Sequence, residues 1–139
     1  MLFIDTSKVM SNKLYILIIV FCLSCNVLAN KLVSDNEALI ITFDNPVDGI
    51  GLHNISNIGF TITTIDNNPV AGLGFTVEGG MLGHGHGLPT APFITEQGSG
   101  IYTLNGMKYS MRGQWLLILK VVSGEYTDDQ FTLALNVSL

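Results

Sequence analysis

The stretch W-L-L-I-L-K-V-V-S-G-E-Y-T-D-D-Q-F-T-L-A-L-N-V, Trp115–Val137, decides the fold class. Trp115, Leu117, Leu119 and Val121 recur with period two, the spacing that puts side chains on one face of a β-strand. The alternate residues Leu116 and Ile118 are apolar as well, so this strand is read as central and covered on both faces. Ser123-Gly124 turns the chain. Phe131, Leu133, Leu135 and Val137 then alternate cleanly with Thr132, Ala134 and Asn136, as expected of a partner strand with one solvent face.

The same period extends back through the chain. Ile58, Phe60 and Ile62 alternate with Gly59, Thr61 and Thr63, and Asp66-Asn67-Asn68-Pro69 follows as a turn. Phe75 and Val77 form a strand ended by Gly79-Gly80. Ile101–Leu104 reads as another, closed by Asn105-Gly106, a hairpin signal. Ala38–Phe43 and Phe93–Thr95 carry weaker strand patterns. No segment holds a helical period for three turns. The expectation is an all-β domain, an immunoglobulin-like β-sandwich of six to seven strands, preceded by an N-terminal signal helix.

That leader occupies residues 1–29. Lys8 and Lys13 precede an uncharged apolar run, Leu14–Leu23, and Val27-Leu28-Ala29 has the small-residue pattern of a cleavage site. Three fates stand open: cleavage after Ala29, retention as a membrane anchor, or acylation at Cys25 within the lipobox-like Cys22-Leu23-Ser24-Cys25. Both cysteines lie in this segment, so the domain beyond it has neither disulfide nor thiolate metal site. Residues 30–37 read as a linker and 38–139 as the domain. After Ala29 four basic residues (Lys31, Lys108, Arg112, Lys120) face ten acidic ones, a net charge of −6 that repels phosphate backbones and argues against nucleic acid as a partner.

One segment departs from the strand pattern. Met81-Leu82-Gly83-His84-Gly85-His86-Gly87-Leu88-Pro89-Thr90-Ala91-Pro92 is a glycine-rich loop holding two of the three histidines. In an extended backbone His84 and His86 point the same way. Met81 adds a thioether beside them, and Met111, in Ser110-Met111-Arg112-Gly113-Gln114-Trp115, adds another from a second turn. Imidazole with thioether favours copper, Cu(I) above all, over hard cations. Met81, His84, His86 and Met111 are therefore the candidate metal ligands. The alternative is that the histidines pin the loop by hydrogen bonding and bind no metal. Met107 reads as core, and the isolated His53 as a surface or structural histidine. No serine sits in a Gly-x-Ser-x-Gly setting and no carboxylate pair forms a cleft motif, so no enzymatic activity is expected.

Four blocks carry a family resemblance: Asp66–Val70 (D-N-N-P-V), Met81–Pro92, Gly100–Tyr102 (G-I-Y) and Met107–Trp115 (M-K-Y-S-M-R-G-Q-W). In this order they resemble the YtkA-like family, which is related to the FixH-type proteins, over roughly Asn57–Val137. The resemblance implies a small immunoglobulin-like sandwich, exported or membrane-tethered in the bacterial envelope, with the periplasm as its location. The FixH-type relatives are associated with cation pumping and copper supply to respiratory oxidase assembly, which supports the copper reading of Met81, His84, His86 and Met111, with an envelope protein as the expected partner. Two positions depart from the family pattern, which places Pro after the Met of each motif: here Leu82 and Arg112 stand there. Arg112 sets a fixed positive charge beside a cation site. The alternative to copper delivery is a non-catalytic interaction domain whose His-rich loop is a rigid corner.

Overall fold

A computed structural model describes residues 30–138. The leader, with its cleavage, anchor and acylation alternatives, lies outside the described residues.

Among the described residues nine strands form two antiparallel sheets. The first joins β1 (Lys31–Val33), β2 (Leu39–Phe43), β3 (Ser56–Thr64), β7 (Ile101–Met107) and β6 (Phe93–Gly98) in the order β1-β2-β3-β7-β6. The second joins β4 (Gly74–Met81), β5 (His86–Gly87), β8 (Gly113–Ser123) and β9 (Gln130–Val137) in the order β5-β4-β8-β9. With β1 set aside, β2-β3-β7-β6 and β4-β8-β9 reproduce the A-B-E-D and C-F-G arrangement of the immunoglobulin sandwich, with β5 as a two-residue C′ strand. Seven strands carry the fold. The two additions are three residues or shorter, and β1 falls within the stretch expected as linker.

The core is what period-two alternation demands. Leu39, Ile41, Ile62, Leu117, Leu119, Val121 and Phe131 are fully buried between the sheets, and β8 is covered on its second face only in part. Phe60 lies at the centre, its ring 5.6 Å from both Phe43 and Tyr102. Tyr102 also staples the β3–β4 connection. Its hydroxyl donates to the Val70 carbonyl (2.9 Å) and accepts from the Leu73 N–H (3.3 Å). Burial raises its pKa, so the proton needed for that bond is retained.

Asn105-Gly106 does not turn the chain. Both residues lie inside β7, opposite a register shift between Ser56 and Ile58 of β3. The positive φ of Gly106 (73°) serves that irregularity. Asn57 Oδ1 accepts from the Gly106 N–H (3.0 Å), and Thr90 Oγ1 donates to its carbonyl (2.7 Å). Tertiary hydrogen bonds here override a local turn preference.

The sandwich has two unlike ends. At one end the turns at Ser34–Ala38, Ile65–Asn68, Gly98–Gly100 and Gly124–Asp129 meet. Asp129 holds two of them together: its Oδ1 accepts from the N–H groups of Asn36 (3.1 Å) and Gln130 (2.8 Å), and the side chain is 3% exposed. Its Oδ2 is buried with no hydrogen-bond partner among the described residues. Asp129→Ala is expected to lower unfolding stability by about 2–4 kcal/mol, because two backbone donors lose their acceptor. Asp129→Asn keeps an acceptor and removes a buried charge, and should be neutral or stabilising. Urea denaturation of the two variants checks the order, and a costlier Asn would refute the assignment.

Candidate metal centre at the loop end

The other end gathers three connections: residues 44–55 between β2 and β3, 82–92 around β5, and 108–112 between β7 and β8. All three histidines lie there, together with Met81 and Met111.

The His-rich segment is a hairpin rather than an open loop. Met81 pairs with His86, leaving Leu82–Gly85 as a four-residue connection. The His84 N–H donates to the Met81 carbonyl (3.2 Å), one turn of chain, and Gly85 then takes φ 62° to bring the backbone into β5. The second pair of the hairpin is Gly80 with Gly87. Gly80 is needed because any Cβ there would overlap the His86 carbonyl oxygen across the hairpin.

This geometry brings His84 and His86 together although only one of them sits on a strand. Their rings are nearly parallel (14°) with centroids 6.2 Å apart, and both side chains are exposed. Two imidazoles that share one ion at about 2 Å per bond have centroids roughly 5–6 Å apart. The observed separation is within a small side-chain rotation of that span.

The methionines are placed differently. Met81 continues the inward alternation of Phe75, Val77 and Gly79, and is 7% exposed. Its terminal methyl occupies the space that a side chain on Gly113 would fill. Met81 and His86 are direct cross-strand partners, so their side chains leave the sheet on the same face, the thioether deep and the imidazole at the rim. Met111 is 36% exposed in the neighbouring turn. Its backbone is fixed from below: Trp115 Nε1 donates to the Met111 carbonyl (3.1 Å), and Trp115 pairs in register with Met81. The loop-end motifs thus meet over one indole.

Tyr109 completes the floor. Its ring packs 5.4 Å from that of Trp115, and its hydroxyl donates to the Val47 carbonyl (3.1 Å). Burial first, then the nearby Asp48 carboxylate, raise its pKa above the ordinary tyrosine range. The Tyr109 carbonyl accepts from the N–H of His53 (2.8 Å), which has φ 65° and an exposed side chain. His53 thus serves at least as a backbone link between loops 44–55 and 108–112. Residue spacing gave no hint of this role, nor of the part played by Gly113. The inward position of Met81 could have been read from the alternation that begins at Phe75.

Among the described residues no three His, Cys, Asp or Glu side chains cluster as metal ligands, so a centre here would depend on the imidazole pair and thioether sulfur. The fold and this end together define an immunoglobulin-type sandwich with a His/Met loop. No family model, curated protein or solved structure matches the chain.

Proposed function

We propose that this is an exported, non-catalytic domain of the bacterial envelope that binds copper, for storage or delivery to a partner protein. His84 and His86 are the primary ligands, and the paired imidazoles with a 6.2 Å centroid separation carry this reading. Met111, exposed on the adjacent turn where Met81 is buried, is the sulfur assigned to the ion in this reading. Met81 lies beneath and would join only if its side chain left the space over Gly113. Two imidazoles and a thioether suit Cu(I) and give little hold on magnesium or calcium. A centre without thiols also resists oxidation at cysteine, which suits an extracytoplasmic setting. The leader and the resemblance to the YtkA-like family support the location and the copper chemistry.

Anaerobic Cu(I) titration against a competing chelator tests the proposal. Loss of a second-shell contact alone typically costs 10–100-fold in metal affinity, so removing both primary ligands in His84→Ala/His86→Ala should cost at least about 100-fold. Equal affinity of the wild type and the double variant would end the copper reading. The exposure of both imidazoles weighs against the alternative of a pinned structural corner. That alternative requires the double variant to lose thermal stability in metal-free buffer, where the copper reading expects almost no change.

A further inference from the structure

Large apolar side chains stand exposed at the loop end, Ile55 (67%), Leu82 (62%), Phe93 (57%) and Met111, as Val33, Ile65, Ile101 and Val122 do at the opposite end, so apolar exposure alone does not tell the ends apart. Charge does, because it is divided between the two ends of the sandwich. Lys108 and Arg112 lie in the β7–β8 connection, and Lys31 opens β1 on this side, where Asp44 and Asp48 are the facing carboxylates. The opposite end carries Asp35, Glu37, Asp66, Glu125, Asp128 and Asp129 in its turns and no lysine or arginine. Lys120, the remaining lysine or arginine among the described residues, sits within β8. A domain with a net negative charge thus concentrates its cations at the loop end, beside one of its two sets of exposed apolar side chains, while the other set lies among carboxylates.

The preceding chain arrives from the same side. The Asn30 carbonyl accepts from the Phe43 N–H (2.9 Å), beside the start of loop 44–55, and β1 runs from there towards the acidic end. Residues 24–29 separate Asn30 from the apolar run Leu14–Leu23, a distance of at most about 25 Å even when fully extended.

We infer that the loop end docks onto an anionic phospholipid surface, with Leu82 and Phe93 inserted at the headgroup level and Lys108 and Arg112 against the headgroups. Apolar insertion combined with cationic attraction is the pairing by which peripheral proteins hold an interface. The acidic end, repelled by the same surface, faces away and sets the orientation. Metal plays no part in this contact.

Hydrogen exchange of the full chain, in chelator-treated buffer, tests the inference with phosphatidylglycerol and phosphatidylcholine vesicles compared. Phosphatidylglycerol should protect residues 82–92 and 108–112, leave the turns at 65–68 and 124–128 unchanged, and protect more than phosphatidylcholine does. Leu82→Ser/Phe93→Ser, altering exposed positions only, should lower the protected fraction roughly tenfold. Lys108→Glu/Arg112→Glu should do the same and abolish the lipid preference. Vesicle attachment through the leader without protection of the loops, protection at the acidic end, or equal protection by both lipids would overturn it. Because no copper is present, failure here leaves the metal titration untouched.

Discussion

Trp115→Ala is expected to remove about 3–5 kcal/mol of unfolding stability, the largest single loss from any side chain at the loop end. Small domains are stable by only about 5–15 kcal/mol, so this variant should unfold near or below physiological temperature. The indole is 1% exposed, packs against Tyr109, pairs with Met81 and Leu135, and holds the Met111 carbonyl through Nε1. Deleting it leaves a cavity between the sheets and frees the 108–112 turn. Trp115→Phe separates these roles: it keeps most of the ring volume, loses the Nε1 donor and should cost about 1–2 kcal/mol. Urea denaturation followed by far-ultraviolet circular dichroism measures both, since this is the protein's one tryptophan. Equal losses would mean that the hydrogen bond, not ring volume, dominates.

Gly80→Ala is the second large effect, and it falls on geometry rather than on the core. The added Cβ would overlap the backbone of β5, which meets β4 only through Gly80–Gly87 and Met81–His86. A backbone obstruction of this kind cannot be relieved by a side-chain rotation, so the hairpin must move. The β8 and β9 strands pair elsewhere, and the domain should stay folded with a loss of about 1–3 kcal/mol. The two imidazoles should separate. Nuclear Overhauser contacts between the His84 and His86 rings, expected in the wild type from their stacked placement, should vanish in the variant, and Cu(I) affinity should fall at least tenfold with them. Intact ring contacts in the variant would show that the hairpin tolerates the methyl and that Gly80 is dispensable to the pair.

The strands that were plain in the sequence are those whose two faces differ or are both apolar. The β3, β8 and β9 strands follow their alternation closely. By contrast, β6 has only Ile94 and Gly98 partly buried among exposed neighbours, and its ladder to β7 extends it to Gly98 beyond any apolar signal. A three-residue strand such as β1 leaves almost no period to detect. Asn105-Gly106 misled because local turn preference is weaker than the hydrogen bonds that Asn57 and Thr90 supply from distant segments. At the candidate site, the shared side of His84 and His86 was legible, yet it arises from a tight hairpin and not from extended chain. The burial of Asp129 was not legible, since nothing in Asp128-Asp129-Gln130 tells which carboxylate turns inward.

The shortness of β5 has a consequence for the history of such a domain. Two residues of pairing attach the His-bearing segment to β4, and of its residues only Leu88, partly buried, packs against the core that the seven principal strands close. Selection can therefore lengthen, shorten or rewrite residues 82–87 with little penalty in folding, and the scaffold survives each trial. A new specificity can be grafted at this end long before the framework itself has to drift.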